Sequence, residues 1–174
     1  MKISSLLFAL LILLHQQLPT VNASVEKICK QVALEKGGDY DFCLKSLQRD
    51  PKSSTASTAG LALIATRRAK EDFRSALATV KKLLRGNITD NDKSSLAVCA
   101  EVYDDGVYIL REAIGAIRSG TRDDAITYLS ASLTDVSTCS DTFDEFAANK
   151  TMVAKVDADA AKISTLALEI ATLM

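Results

Sequence analysis

The chain has 174 residues, with 21 Lys and Arg against 22 Asp and Glu. That balance argues against nucleic-acid binding, which normally requires a basic surface. His15 is the only histidine, there is no tryptophan, and only two prolines occur, Pro19 and Pro51. Because proline is scarce and Ala, Leu, Lys, Asp and Ser dominate, the composition favours an all-α protein over a β-sandwich or an α/β enzyme.

The first 23 residues have the pattern of a secretory signal peptide. Lys2 precedes an apolar run from Ile3 to Leu14, which is shorter than the roughly 20 residues of a membrane span. Val21-Asn22-Ala23 fits the small-x-small rule for cleavage. We therefore predict a signal peptide over residues 1–23 and a secreted domain over residues 24–174, with no membrane anchor.

Removal of this segment changes the chemistry available to the mature chain. It takes away His15, one lysine and no acidic residue, which leaves 20 basic against 22 acidic residues. A domain without histidine cannot form Ser-His-Asp or Cys-His nucleophile pairs, nor metal sites with histidine ligands.

Four amphipathic segments predict four long helices. The first runs from Gly60 to Arg85 and is expected to end at Gly86-Asn87, since Gly and Asn tolerate a left-handed backbone. The apolar positions of the other three follow heptad-like steps of three and four residues. They are Leu96, Cys99, Tyr103, Gly106, Leu110, Ala113 and Ile117 in the second, Ile126, Leu129, Leu133, Val136, Ser140, Phe143 and Ala147 in the third, and Val153, Val156, Ala160, Ile163, Ala167, Ile170 and Met174 in the fourth.

The expected helix ends complete this arrangement. Ser119-Gly120 should terminate the second helix, Thr121 should cap the third, and Asn149 or Thr151 should cap the fourth. Helices of this length joined by short linkers predict an up-down-up-down four-helix bundle. An extended coiled coil is the alternative for sustained heptads, but the glycine-containing breaks favour the bundle.

Four cysteines in a secreted chain are expected to form two disulfides. Residues of an antiparallel hairpin face each other when they are equidistant from its turn. Cys29 and Cys43 are equidistant from a point beside Gly37-Gly38, and Cys99 and Cys139 from a point beside Gly120. We therefore predict Cys29–Cys43, stapling a short helical hairpin before the bundle, and Cys99–Cys139, clamping the second and third long helices.

Two sequons become candidate N-glycosylation sites in a secreted protein. They are Asn87-Ile88-Thr89, between the first and second long helices, and Asn149-Lys150-Thr151, between the third and fourth. In an up-down bundle these two loops lie at the same end. Glycans there would leave the opposite end, near Gly120, accessible.

No active site is recognisable in the sequence. A glycine-rich phosphate loop and a nucleophile elbow are both missing. The acidic pairs Asp104-Asp105 and Asp123-Asp124 consist of helix neighbours, which do not face each other as an acid/base pair would. We predict that the protein is not an enzyme, uses no cofactor or metal, and acts by binding another protein or by holding a small ligand inside the bundle.

Several sequence blocks resemble the plant invertase and pectin methylesterase inhibitor family. The four-cysteine plan, with a hairpin pair followed by a bundle pair, is similar to that family's. The matching blocks are Tyr40–Leu47 with Asp50–Ser53, Gly60–Ala62, and Tyr128–Asp135 leading to Thr138-Cys139. The likeness covers essentially all of residues 25–174.

This resemblance implies a secreted inhibitor of the plant cell wall that binds one-to-one to a pectin methylesterase or an acid invertase and excludes substrate from its cleft. Invertase inhibitors of the family typically carry Pro-Lys-Phe after the turn between bundle helices two and three. The matching positions here are Arg122, Asp123 and Asp124. We therefore favour pectin methylesterase as the target, with invertase as the alternative. A further alternative is a pollen or storage-type protein, or a ligand carrier, that inhibits neither enzyme.

Polar surface on the second to fourth long helices is the expected contact region. The candidate residues for target contact are Glu101, Asp104, Asp105, Arg122, Asp123 and Asp124. If they lie in an interface, the affinity should depend on salt concentration.

Overall fold

The structure, a computed structural model, describes residues 23–174, which form six α-helices and no β-strand. The predicted signal peptide lies outside the described residues except for Ala23, the first residue of the first helix. The helices are α1 (Ala23–Lys36), α2 (Tyr40–Leu47), α3 (Thr58–Leu83), α4 (Asp90–Ser119), α5 (Arg122–Glu145) and α6 (Ala154–Thr172), with 3₁₀ turns at Pro51–Thr55 and Lys150–Met152.

Helices α1 and α2 form a short hairpin ahead of the four long helices. Gly37, in the turn, has a φ of +73°, a left-handed conformation that favours glycine. A disulfide joins Cys29 of α1 to Cys43 of α2, with 5.6 Å between their Cα atoms. This confirms the predicted staple of the N-terminal hairpin.

The long helices pack in a closed ring, in which each contacts the next along the chain and α6 returns to α3. A disulfide joins Cys99 of α4 to Cys139 of α5, with a Cα–Cα distance of 4.5 Å. One turn away, the Ser95 hydroxyl donates to the Thr142 carbonyl at 3.1 Å. These contacts pair the beginning of α4 with the end of α5.

A glycine in α4 makes room for an aromatic contact in the core. The ring of Phe73, in α3, meets Tyr103 edge-on, with 5.4 Å between the ring centroids. A Cβ atom at Gly106 would lie 2.2 Å from the Phe73 ring. Gly106 therefore lets α3 and α4 approach at this level.

The predicted buried positions match α4 better than α5. All seven seam positions of α4 are buried. In α5 the predicted positions Leu129, Val136 and Phe143 are buried, together with Ala125, Ser132, Cys139 and Thr142, whereas Ile126 is only partly buried and Ala147 is exposed. The predicted seam positions Leu133 and Ser140 are only partly buried, because the Cys99–Cys139 bond turns the Cys139 side of α5 towards α4.

Several predicted helix ends differ from the structure. Gly120 has the expected left-handed conformation, with a φ of +77°. Gly86 and Asn87 do not: α3 ends at Leu83, and the Gly86 N–H donates to the Leu83 carbonyl without a positive φ. The left-handed residue that follows α5 is Ala147, with a φ of 51°.

The predicted cap of α5 has the right residue without its capping hydrogen bond, and the predicted cap of α6 is incorrect. Thr121 occupies the N-cap position of α5 without a side-chain bond to its first turn, because its hydroxyl donates to the Ala116 carbonyl of α4. Asn149 accepts from the Thr151 N–H and so caps the 3₁₀ turn, whereas α6 starts after Val153 with no side-chain cap.

Between residues 23 and 174, no helix combines the length and the apolar character required to cross a bilayer.

Candidate target-binding surface

The six candidate contact residues are all on the surface, but they form two separate groups. Glu101, Asp104 and Asp105 are near the middle of α4, whereas Arg122, Asp123 and Asp124 form the first turn of α5. The 14 residues from Asp105 to the end of α4 at Ser119 correspond to about 21 Å of helix. The structure therefore does not bring the two groups into one cluster.

One carboxylate of α5, which the sequence reasoning missed, lies against the middle of α4. Asp135 of α5 is half-buried against α4, and its Oδ2 is buried without a hydrogen-bond partner among the described residues. That atom would lie 3.1 Å from a Cβ at Gly106. Glu101, Asp104, Asp105 and Asp135 together are called the acidic face below.

Burial and a neighbouring charge raise the pKa of one carboxyl group in this face. Desolvation, followed by repulsion from the Asp105 carboxylate, raises the pKa of Asp135 to about 6. The acidic face therefore holds one carboxyl group that changes its charge near pH 6. The sequence offered one indirect signal of Asp135. Gly106 is a glycine at a buried seam position, and a glycine there lets a side chain of the facing helix approach.

The first turn of α5 is tied to the C-terminal end of α6. A guanidinium nitrogen of Arg122 donates to the Thr172 carbonyl at 2.8 Å, and the other terminal nitrogen contacts Asp123 at 3.3 Å. Asp123 and Asp124 are exposed at the helix N-terminus, where acidic side chains complement the helix dipole. Arg122 thus has a structural role, while the two aspartates are accessible.

The two sequons lie at the same end of the molecule, as predicted for the loops. Asn87 and Asn149 are both exposed. Asp92, at the start of α4, accepts from the Asn149 N–H at 2.8 Å and from the Thr89 hydroxyl at 2.8 Å. Both hydrogen bonds lower the pKa of Asp92, and the bond from Asn149 has the larger effect. They also connect the α3–α4 loop to the α5–α6 loop.

A shallow groove of about 460 Å³ lies between α5 and α6. Its walls are mostly apolar and include Leu133, Val136, Ala154 and Ala161. The groove is on the surface of the bundle. Beneath it, the Tyr103 hydroxyl donates to the Asp157 carboxylate, and both side chains are buried.

The described part of the chain has neither a candidate metal site nor a free thiol. Over residues 23–174, no three His, Cys, Asp or Glu side chains are grouped so that they could hold a metal ion. All four cysteines are in disulfides.

The family follows from comparison with known proteins. The family model described as "Plant invertase/pectin methylesterase inhibitor" matches residues 23–170, and the chain belongs to this family. The family description names inhibitors of enzymes, and the protein is not itself an enzyme. The protein is therefore an inhibitor of a pectinesterase or an invertase.

Individual relatives carry names of both kinds. A "Putative invertase inhibitor" of Platanus acerifolia is 32% identical over 151 residues, covering 86% of this chain and 84% of that protein. A "Pectinesterase inhibitor" of Actinidia deliciosa is 26% identical over 145 residues, covering 82% of this chain and 76% of that protein. In fold, the chain is similar to a mutant pectin methylesterase inhibitor from Arabidopsis, with a TM-score of 0.71 at 20% identity, over 88% of this chain and 98% of that one.

Proposed function

We propose that this protein is a secreted inhibitor of a plant pectin methylesterase, which it blocks by laying α4, α5 and α6 across the substrate cleft in a one-to-one complex. The acidic face carries this proposal. Glu101, Asp104 and Asp105 are exposed on one helix, and none has an ion-pair partner among residues 23–174. Unpaired surface carboxylates are available to cations of a partner.

The proposed bundle topology is up-down-up-down for α3, α4, α5 and α6. The Cys99–Cys139 disulfide and the Ser95–Thr142 hydrogen bond support antiparallel packing of α4 against α5, because the earlier residue of α4 meets the later residue of α5. In this arrangement the glycan-bearing loops at Asn87 and Asn149 are at one end, and Asp123 and Asp124 are at the other. A target can then approach Asp123 and Asp124 without meeting a glycan.

The proposed mature protein is residues 24–174, released from the signal peptide at residues 1–23 into the extracellular space of the cell wall. Two disulfides support an oxidising compartment, since such bonds are rare in the reducing cytosol. N-glycans at Asn87 and Asn149 form part of the same proposal.

Acid invertase is the second candidate target. It is favoured by the 32% identity to the Platanus acerifolia protein named as an invertase inhibitor. Against it, the first turn of α5 presents Arg122, Asp123 and Asp124, where the resemblance leads us to expect Pro-Lys-Phe. A bundle that inhibits neither enzyme, as a storage protein or a ligand carrier, is the third reading, and the groove between α5 and α6 is its only specific support.

Parallel titrations test these alternatives. Oxidised protein spanning residues 24–174 would be titrated at acidic pH against a plant pectin methylesterase and a cell-wall acid invertase. We expect saturating inhibition of the esterase at one equivalent and none of the invertase. Inhibition of the invertase alone would transfer the assignment to that enzyme. If neither enzyme were inhibited, the protein would be a storage protein or a ligand carrier, and a search for a co-purified ligand would follow.

A further inference from the structure

A second charged surface, opposite in sign to the acidic face, lies between α3 and α4. It is a groove of about 490 Å³. Five cationic side chains line it, Arg67, Lys70, Arg74, Arg111 and Arg118, together with two carboxylates, Glu71 and Glu112. The whole chain has a net charge of −1, so this concentration of positive charge is local. It is called the basic groove below.

Most of these cations are in no ion pair with another described residue. In residues 23–174, no carboxylate is within ion-pair distance of Arg67, Arg74 or Arg118, and Arg111 meets only its sequence neighbour Glu112, at 3.4 Å. Three lysines elsewhere are in ion pairs, for example Lys162 with Asp39 at 2.9 Å.

Positive charges crowd one another in the basic groove. The pKa of Lys70 is lowered, first by desolvation and then by repulsion from Arg74 and Arg67. Unpaired like charges held together on two rigid helices repel one another, and a bound polyanion would relieve that repulsion.

The shape of the basic groove suits a chain better than a single ion. Arg67 and Arg74 are seven residues apart on α3, as are Arg111 and Arg118 on α4, so each pair spans about 10 Å. Gly115 lines the groove, and a Cβ added there would meet no atom within 4 Å. The groove is therefore open along a length that several consecutive anionic groups could occupy.

An exposed aromatic ring extends this surface. Tyr108 is 56% exposed, and the Arg111 guanidinium lies 4.7 Å from its ring centroid. An exposed tyrosine offers an apolar face and a polar hydroxyl, which suits the mixed apolar and polar faces of a sugar ring. Arginine binds carboxylates through two parallel N–H donors.

We propose that the basic groove binds an acidic polysaccharide, namely a linear chain of uronic acid residues with free carboxylates. The choice of ligand rests on the proposed function, because hydrolysis of the methyl esters of pectin leaves such carboxylates along the chain. Binding would use α3 and the C-terminal half of α4. The inhibitor would then be held on pectin where demethylation has already occurred.

The test is retention on polysaccharide, measured separately from enzyme inhibition. Affinity electrophoresis through gels containing fully de-esterified polygalacturonate, without calcium, would compare the wild type with an Arg67→Gln/Arg74→Gln/Arg118→Gln variant. The matched control is Lys81→Gln/Lys82→Gln/Arg85→Gln, which removes the same charge from exposed positions near the end of α3. Highly methyl-esterified pectin and a sulfated polysaccharide would be run in parallel.

We expect retardation of the wild type and the control in polygalacturonate, at least a tenfold weaker affinity for the triple variant, and loss of binding as salt is raised. Inhibition of the target enzyme should be the same for all three proteins. The proposal is overturned if the wild type is not retarded, if the control loses as much affinity as the triple variant, or if esterified pectin or the sulfated polysaccharide binds equally well. Because inhibition is measured separately, the experiment distinguishes failure of polysaccharide binding from failure of the proposed inhibitory function.

Discussion

The Tyr103 hydroxyl, on α4, donates a hydrogen bond to the carboxylate of Asp157, on α6, across the core of the bundle. Both residues are buried, and the two helices are not neighbours in the ring of long helices. Desolvation raises the pKa of Asp157, and the Tyr103 hydrogen bond opposes that rise. This pair is therefore a polar tie between opposite helices, and each group satisfies the other.

Replacement Tyr103→Phe should destabilise the protein. It leaves the Asp157 carboxyl group buried without its donor, a cost of about 1–3 kcal/mol. Chemical denaturation at neutral pH would measure the loss. Tyr108→Phe is the matched control, because the Tyr108 side chain is largely exposed and its hydroxyl has no such partner. Equal stability of the Tyr103→Phe variant and the wild type would contradict the assignment.

Two glycines of α4 should respond to alanine in opposite directions. At Gly106 the new methyl group would be 2.2 Å from the Phe73 ring, so overpacking should cost about 1–3 kcal/mol. At Gly115 a Cβ meets nothing within 4 Å, so alanine should stabilise the exposed helix surface by about 0.5–1 kcal/mol. Thermal melts of the two variants would decide, and a stabilising Gly106→Ala change would refute the close approach of α3 and α4.

Asp135 should make the folded state less stable as the pH rises. Its pKa is raised to about 6, so its contribution to stability is full below its ordinary pKa of 3.8 and is lost as the pH rises through about 6. A shift of this size corresponds to at most about 3 kcal/mol, and solvent screening of a half-buried group reduces that to about 1 kcal/mol.

Asp135→Asn isolates this effect from the other carboxyl groups. The variant should gain stability over the wild type at pH 7 and show no such gain at pH 4. Urea denaturation at both pH values gives the comparison. A difference between variant and wild type that does not change with pH would show that Asp135 keeps an ordinary pKa.

The two disulfides should contribute unequally to stability. They close loops of 14 and 40 residues, so the chain-entropy relation gives about 3 kcal/mol for Cys29–Cys43 and about 4 kcal/mol for Cys99–Cys139. Each pair would be replaced by alanine and the midpoint of denaturation compared. If loss of Cys29–Cys43 were the more damaging, the N-terminal hairpin would matter more to the bundle than loop entropy implies.

The seam of α4 could be read from the sequence because its buried positions are apolar or small at heptad spacing. The seam of α5 could be read only in part: Leu129, Val136 and Phe143 follow the apolar pattern, but the helix also buries the polar residues Ser132 and Thr142 beside the disulfide-bonded Cys139. Thr121 was expected as a cap but donates to Ala116 of the preceding helix. That competing acceptor exists only once the turn has formed.

Surfaces built by two helices were also beyond sequence reasoning. Asp135 joins the acidic face only through the register of α5 against α4. The basic groove combines Arg67 and Arg74 with Arg118, which lies 44 residues further along the chain than Arg74. Each helix alone shows an ordinary spacing of charges, and only their packing brings the cations together.

Binding to a pectin methylesterase through the acidic face is the central claim, and calorimetric titration of the enzyme with charge variants tests it most directly. Glu101→Gln/Asp104→Asn/Asp105→Asn would be compared with Asp41→Asn/Asp90→Asn/Asp144→Asn, a control that removes three exposed carboxylates from other helix ends. We expect one-to-one binding by the wild type and the control, and at least tenfold weaker binding by the acidic-face variant. Full affinity of that variant would contradict the account.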